Sequence, residues 1–159
     1  MARVLVVGCG CRGRSLAATL RADGHAVRGT TRSAAALGEI EAAGAEGVVA
    51  DPDRLGTVMA HLAGVTAVCW LLGTATGPPA ADLHGPRLET LLERLVDTPV
   101  RGIVYEAAGS VEPELLAAGA AAVRAAAERW RMAAELVEAD PAEHAGWLAA
   151  MQAAVGRLL

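Results

Sequence analysis

Three glycines close to the start of the chain have a spacing that suggests a binding chemistry. Gly8, Gly10 and Gly13 follow the apolar run of residues 4–7 in the pattern Gly-x-Gly-x-x-Gly. In such a loop the first glycine allows a tight turn, the second lets the backbone approach a pyrophosphate, and the third lets the next helix pack closely on the strand. A helix beginning near Arg12 would present free N–H groups to a phosphate. The pattern predicts a dinucleotide-binding turn, the alternative being a tight strand-to-helix turn that binds no nucleotide.

The residues at the end of the second predicted strand bear on which dinucleotide would bind. An NAD-binding unit usually carries Asp or Glu about 20 residues beyond the glycine loop, where the carboxylate holds the ribose 2′-hydroxyl. The corresponding residues 28–33 include no acid. Arg32 could instead pair with a 2′-phosphate, and the hydroxyls of Thr30, Thr31 and Ser33 could donate to it. We therefore expect NADP(H) in preference to NAD(H); the alternative is a solvated turn in which Ser33 or Thr31 caps the next helix.

Further candidates for the nucleotide site follow the third and fourth predicted strands. Asp51 is placed either to meet an adenine edge or to cap a helix starting near Pro52. The fourth strand ends where the chain order of a doubly wound sheet reverses, which is where ligands bind. The residues at this strand end could contact ribose or phosphate; they are Leu71, Leu72, Gly73 and Thr74. In the alternative, the Thr74 hydroxyl only forms hydrogen bonds within its own loop.

The cysteines do not indicate a metal site. Cys9, Cys11 and Arg12 occupy the variable positions of the glycine loop and are predicted to contact the cofactor with it. The third cysteine, Cys69, lies in the fourth predicted strand. With four histidines and no second cysteine pair, we expect no metal and free thiols in a reducing cytosol.

Strands and helices are predicted to alternate along the chain. The predicted strands cover residues 4–7, 25–30, 47–50, 66–72, 102–106 and 134–138, and the predicted helices cover residues 15–22, 34–43, 55–62, 86–96, 112–131 and 140–155. This order indicates an α/β, three-layer, doubly wound Rossmann fold with a parallel sheet of about six strands in the order 3-2-1-4-5-6. Because these elements use the whole chain, we expect one NAD(P)-binding domain over residues 1–159 and no separate substrate domain.

Composition narrows the class of protein. All 14 basic residues are arginine, which a GC-rich genome explains, and no lysine is available for catalysis in this sequence. The formal net charge is −4 without a basic cluster, so we expect no nucleic-acid partner. No apolar run reaches the roughly 20 residues of a membrane span, and there is no signal-peptide pattern. We therefore expect a cytoplasmic protein that does not bind membranes.

Three segments resemble a known family. Residues 8–13, 29–32 and 50–52 resemble the amino-terminal part of NAD(P)-binding Rossmann proteins, in particular atypical extended short-chain dehydrogenase/reductases and NAD-dependent epimerase-like proteins. The resemblance is strongest before residue 55. It implies that the cofactor is bound by Gly8, Gly10, Gly13, Arg32 and Asp51.

The catalytic residues of that family do not carry over to this sequence. The family uses a Ser or Thr after the fifth strand and a Tyr-x-x-x-Lys motif on the next helix. Here lysine is absent, the single tyrosine, Tyr105, lies in the fifth predicted strand, and only Ser110 vaguely matches the serine. The usual proton-transfer chemistry is therefore not expected.

Four other residues are candidates for catalysis, although the catalytic residues remain unknown. His84, Arg87, Tyr105 and Glu106 could face one cleft at the carboxyl edge of the sheet, where His84 would act as acid or base and Arg87 would hold an anion. In the alternative, His84 lies near a helix N-terminus, Arg87 pairs with Glu89 or Glu106, and Tyr105 belongs to the packing.

Three hypotheses for function follow. The first is an NAD(P)-binding protein without the Tyr/Lys pair, acting as a cofactor-sensing or regulatory module. The second is a minimal NAD(P)-dependent oxidoreductase or epimerase-like enzyme whose pocket is completed in a homodimer by the C-terminal helices, where Trp130 and Trp147 either form the contact or pack against the sheet. The third is a domain that has kept the fold and lost the nucleotide. The sequence does not identify a substrate.

Overall fold

The computed structural model describes residues 2–159 and contains a parallel sheet of six strands in the order β3-β2-β1-β4-β5-β6. The strands are β1 (Arg3–Val7), β2 (Ala26–Thr31), β3 (Glu46–Val49), β4 (Ala67–Trp70), β5 (Gly102–Glu106) and β6 (Ala133–Val137). The two central strands, β1 after its first residue and β4, are wholly apolar, whereas β2, β3, β5 and β6 each include a charged residue. The predicted fold class and strand order are confirmed.

Helices cover both faces of the sheet. They are α1 (Cys11–Ala22), α2 (Leu37–Ala42), α3 (Leu55–Met59), α4 (Pro79–Leu83), α5 (Pro86–Leu95), α6 (Pro113–Trp130) and α7 (His144–Leu158). The apolar side chains of α1 and α7 pack together on one face, and those of α5 and α6 pack on the other. No helix within residues 2–159 has the length and apolar content needed to cross a membrane.

The central strands are buried on both sides because helices cover both of their faces. Leu5 and Val7 face the α5 and α6 side, whereas Val4 and Val6 face α1 and α7, and none of the four is exposed. Such a strand needs apolar residues at every position, which explains the absence of alternation in its sequence. The carboxyl ends of β1 and β4 lie side by side and form the point where strand order reverses.

Two of the predicted helices begin elsewhere. The last helix does not start at Asp140 and Pro141; α7 starts at His144, because the Asp140 carboxylate accepts the N–H of Ala142 at 2.9 Å in a local turn. The segment predicted as one helix over residues 34–43 opens with a 3₁₀ turn, Ala34–Ala36, before α2. In both segments the expected side chain, Ser33 or Asp140, accepts a backbone N–H two residues later, but that N–H belongs to a turn that precedes the α-helix.

Candidate functional site

A cleft of about 350 Å³ opens at the carboxyl edge of the sheet, where β1, β2, β3 and β4 end. Ten of the fifteen residues predicted to bind a cofactor line it. They are Gly8, Cys9, Gly10, Thr30, Thr31, Arg32, Asp51, Leu71, Leu72 and Thr74. The other five do not line the cleft themselves but lie within two positions of a lining residue in sequence; they are Cys11, Arg12, Gly13, Ser33 and Gly73.

The glycine loop is held tightly between the neighbouring strands. Gly8 has a φ of 84°, and a Cβ there would lie 2.6 Å from the carbonyl oxygen of Leu71, so only glycine fits. The N–H of Gly8 donates to the hydroxyl of Thr30 at 3.2 Å, and the N–H of Cys9 donates to the Thr30 carbonyl at 3.0 Å. Thr30 is buried, and its hydroxyl, predicted as a possible donor to a 2′-phosphate, positions the loop by accepting the N–H of Gly8.

The N-terminus of α1 follows this loop without a side-chain cap. Gly10 is the N-cap residue, no side chain accepts from the first-turn N–H groups, and the first turn has no acid. The first N–H groups of a helix have no intrahelical acceptor and lie at the positive end of the helix dipole. This end of α1 can therefore donate hydrogen bonds to an anion, as the glycine spacing predicts.

The end of β2 places one cation at the cleft. Arg32 is exposed and makes no ion pair or side-chain hydrogen bond within residues 2–159, whereas Arg14, also at the cleft, pairs with Glu39 at 3.2 Å. The Thr31 hydroxyl accepts the N–H of Ser33, and the Ser33 hydroxyl caps the 3₁₀ turn by accepting from Ala35. The capping role left open for these hydroxyls is thus present in the structure, and Arg32 remains available to a ligand.

Asp51 follows β3 at the far side of the cleft. One of its carboxylate oxygens accepts the N–H of Asp53 at 3.0 Å, and its backbone N–H donates to the Thr57 hydroxyl at 2.8 Å. The helix after it begins at Leu55, later than the predicted start near Pro52, so Asp51 closes the preceding turn. Its carboxylate still lines the cleft.

Helix α4 forms a wall of the cleft that the sequence reading did not find. Residues 73–79 contain so many glycines and prolines that they indicated only a loop, yet Pro79 at the first turn starts a short helix. The indole N–H of Trp70 donates to the Leu83 carbonyl at 3.0 Å and anchors this helix to β4. Pro79 and Leu83 thereby contribute apolar surface to the cleft.

Arg12 and Glu106 form an ion pair beside the cleft. Nη2 of Arg12 lies 2.8 and 3.0 Å from the two carboxylate oxygens of Glu106, which has no exposed surface. The carboxylate also accepts the N–H of Gly73 at 2.8 Å and the indole N–H of Trp147 at 2.7 Å. Nη1 of Arg12 donates to the Thr74 hydroxyl at 3.1 Å. Glu106 is therefore a fully bonded structural carboxylate and is not free to act on a substrate.

The other three candidates for catalysis do not meet in the cleft either. Burial lowers the pKa of His84 and, together with the Glu106 charge, raises that of Tyr105. Nε2 of His84 lies 2.7 Å from the Leu72 carbonyl, which can only accept, so Nε2 carries the proton and Nδ1 accepts from the Tyr105 hydroxyl. Arg87 pairs with Asp53 at 3.3 Å, not with Glu89 or Glu106. Neither His84 nor Tyr105 is open to solvent.

The two tryptophans considered for a dimer contact have different environments. Trp147 has no exposed surface and packs on the sheet side of α7, so it is not available as a surface contact. Trp130 is half-buried at the end of α6, under the guanidinium of Arg129. Within residues 2–159 no group of three or more His, Cys, Asp or Glu side chains is arranged to hold a metal ion.

Comparison with known proteins gives the fold a precedent. No protein-family model matches the sequence, and no curated protein matches it. Among solved structures, a protein from Bacillus halodurans assigned to the NAD-dependent epimerase/dehydratases is 21% identical with a TM-score of 0.67, covering 88% of this chain and 71% of its own. A short-chain dehydrogenase/reductase superfamily protein from Agrobacterium tumefaciens, crystallised with bound NAD, is also 21% identical, with a TM-score of 0.68 over 86% of this chain.

A third similar structure is UDP-N-acetylglucosamine 4-epimerase from Bacillus cereus, 17% identical with a TM-score of 0.67 over 87% of this chain. The chain spans about half the length of the last two proteins, 48% and 53%. What aligns is thus most of this chain with part of a longer protein. The chain has the Rossmann-type fold of short-chain dehydrogenase/reductases and NAD-dependent epimerases, as its sequence resemblance predicts.

Proposed function

We propose that this chain binds NADP(H) in preference to NAD(H), as a cofactor-sensing or regulatory module without the Tyr/Lys catalytic pair. The observation that carries the proposal is the pairing, at one cleft, of an uncapped helix N-terminus with an arginine that has no partner within residues 2–159. The helix end suits the pyrophosphate. Arg32 suits a second phosphate on the adenosine ribose, since it follows the strand on which NAD-binding units carry an acid.

Electrostatics at the end of β2 support the phosphorylated cofactor. An acid there would hold a ribose hydroxyl and repel a 2′-phosphate, whereas an exposed guanidinium can form two parallel hydrogen bonds with that phosphate. Asp51 lies across the cleft at the end of β3, where it is engaged with the N–H of Asp53. It is available to the adenine or its ribose.

The regulatory role rests on the fate of the candidate catalytic residues. His84 and Tyr105 are bonded to each other in the core, Glu106 is neutralised by Arg12, and none of the three lines the cleft. A bound cofactor would meet hydroxyls, backbone, apolar side chains and charged groups such as those of Arg32 and Asp51, with none of the candidate catalytic residues positioned over it. We therefore propose binding without turnover.

Calorimetric titration of the full chain with NADPH, NADP⁺, NADH and NAD⁺ tests this proposal. We expect the phosphorylated pair to bind more tightly, and Arg32→Ala to remove most of that difference. Arg94→Ala is the matched control, because Arg94 is also exposed and unpaired within residues 2–159 but lies on α5. Absence of binding by all four ligands overturns the proposal, and unchanged NADPH affinity in Arg32→Ala overturns the phosphate assignment.

A further inference from the structure

The cleft reaches the ends of β1 to β4 but not those of β5 and β6. Its lining residues all lie between Gly8 and Leu83. They belong to the end of β2, the loops that follow β1 to β4, α1, the 3₁₀ turn and α4, and none comes from β5 or β6. In a doubly wound fold a dinucleotide crosses the switch point and uses the edges of both halves. The adenosine half would lie over β1, β2 and β3. The other nucleotide would pass the end of β4, which lines the cleft, and would need open surface at the ends of β5 and β6.

At those ends the loops after β4 and β5 touch backbone to backbone. The Gly73 carbonyl accepts the N–H of Val111 at 3.0 Å. A Cβ at Gly73 would collide with the Ala108 carbonyl oxygen, and one at Gly109 would collide with the Gly73 carbonyl oxygen. We call this contact, formed by Gly73 and residues 108–111, the loop ridge. It closes the edge between β4 and β5.

Arg12 connects α1 to the loop ridge through Glu106. Its guanidinium binds Glu106 below and Thr74 beside it, and lies over the Trp147 ring at 5.4 Å from the ring centre. Only 23% of the side chain is exposed. Since Glu106 also holds the N–H of Gly73, the ion pair and the loop ridge form one connected barrier.

A second hollow, of about 460 Å³, lies at the ends of β5 and β6. It is lined by Ala107, Ala108, Gly109 and side chains of α6, and it shares no lining residue with the cleft. The hollow therefore lies on the other side of the loop ridge. A ligand seated on the glycine loop cannot continue into it along the sheet edge.

We propose that the cleft recognises its ligand through a 2′-phosphoadenosine diphosphate group and leaves the nicotinamide of NADP(H) in solvent. This inference rests on the proposed function and specifies which part of the cofactor is bound. Because oxidised and reduced cofactor differ only in the nicotinamide ring, the chain binds NADP⁺ and NADPH with equal affinity. It responds to the total amount of phosphorylated cofactor and not to its redox state.

Calorimetric titration of the full chain with NADPH, NADP⁺, 2′-phosphoadenosine diphosphate and nicotinamide mononucleotide tests the inference. We expect the dissociation constants of NADPH, NADP⁺ and 2′-phosphoadenosine diphosphate to agree within about tenfold, which corresponds to about 1.4 kcal/mol. Nicotinamide mononucleotide should not bind. Arg32→Ala should weaken the first three by the same factor, and Arg94→Ala should weaken none. An adenosine fragment that binds 100-fold more weakly than NADPH, or nicotinamide mononucleotide that saturates, overturns the inference while NADP(H) binding stands. If none of the four binds, the proposed function fails as well.

The emission of reduced nicotinamide provides a second measurement. On saturation of the chain with NADPH, we expect the emission maximum and intensity to stay those of the free cofactor, apart from loss of stacking on adenine. A blue shift of the maximum on binding would show that the ring enters an apolar site. That result would overturn the inference even if the affinities agreed.

Discussion

The hydroxyl oxygen of Tyr105 lies 2.6 Å from Nδ1 of His84, inside the packing between β5 and α6. The two side chains form a neutral pair, since the ring donates through Nε2 to the Leu72 carbonyl and accepts through Nδ1. A protonated ring would have to donate at both nitrogens and would bury a charge. The pair thus joins β5 to the segment between α4 and α5 only while the histidine is neutral.

Stability is expected to fall as pH is lowered through the titration of His84. Burial lowers the pKa of His84 in the native state, whereas in the unfolded chain it is about 6.5. Below about pH 6.5 the unfolded chain binds the proton first, so the free energy of unfolding decreases. Thermal melts between pH 8 and pH 5 should show a smaller pH dependence in His84→Gln. His144→Gln, at an exposed position, should keep the pH dependence of the melting temperature seen in the parent chain. Equal pH dependence in the parent, His84→Gln and His144→Gln would contradict the prediction.

Gly119 on α6 faces the same hydroxyl, and a Cβ at this position would collide with it. We expect Gly119→Ala to destabilise the protein by about 1–3 kcal/mol, the usual cost of overpacking a core. Gly156→Ala on α7 is the matched control, because its Cβ would meet nothing within 4 Å. The control should gain up to about 1 kcal/mol from helix propensity. Urea unfolding measures both, and equal effects of the two substitutions would refute the packing argument.

Removing one member of the Arg12–Glu106 pair should be costly. Arg12→Ala leaves a fully buried carboxylate without its cation, and we expect a loss of about 3 kcal/mol in the free energy of unfolding. Arg157→Ala breaks an ion pair with Glu135 near the surface and should cost about 1 kcal/mol or less. Urea unfolding curves for the two variants give the comparison directly. Similar small losses in both would show that Glu106 does not depend on Arg12.

Substitution of Gly10 should weaken ligand binding without affecting stability. A Cβ at Gly10 would meet nothing within 4 Å, so Gly10→Ala should change the melting temperature little. The same methyl group would project where a pyrophosphate approaches the loop, and NADPH affinity should fall by tenfold or more, about 1.4 kcal/mol. Gly38→Ala, also unobstructed but on α2, should leave NADPH affinity unchanged and raise the melting temperature slightly through helix propensity. Full NADPH affinity in Gly10→Ala would place the ligand elsewhere.

One thiol should react with a disulfide reagent in the native protein. Burial raises the pKa of Cys9 to about 11 and that of Cys69 to about 12, so neither forms much thiolate at pH 8. Cys11 is exposed at the start of α1. Thiol titration at pH 8 should therefore show one fast equivalent that Cys11→Ser removes. Three equivalents reacting at one rate would mean that the core opens on the time scale of the reaction.

The fold was readable from sequence because its signals are local. Strands buried on both faces are short apolar runs, and glycines mark several of the turns, so the local pattern predicts six strands. Their order, which the structure confirms, followed from the rule for doubly wound folds. The start of α7 was wrong because Asp140 satisfies a turn as readily as a helix end. The sequence identifies Asp140 as a side chain that accepts a local backbone N–H, but it does not show that this N–H belongs to a turn that precedes the helix.

The site was only partly readable, because its key contact is distant in sequence. Spacing predicts the glycine loop and Arg32 as binding residues, and the structure places them at one cleft. Arg12 and Glu106, by contrast, are 94 positions apart, and no periodicity connects them. The available signal was a single glutamate ending an otherwise apolar strand, which requires a cation once the strand is buried. Choosing Arg12 for that cation needs the three-dimensional arrangement.

The Arg12–Glu106 pair also ties together the two mononucleotide halves of the fold. Arg12 belongs to the half built from β1 to β3, and Glu106 to the half built from β4 to β6. The first half alone would expose the charge of Arg12 and the edge of β1. The second half alone would expose the charge of Glu106 and the ring of Trp147. Folding of one half is therefore coupled to docking of the other. The chain should therefore unfold and refold as one cooperative unit, although its sheet is built from two mononucleotide halves.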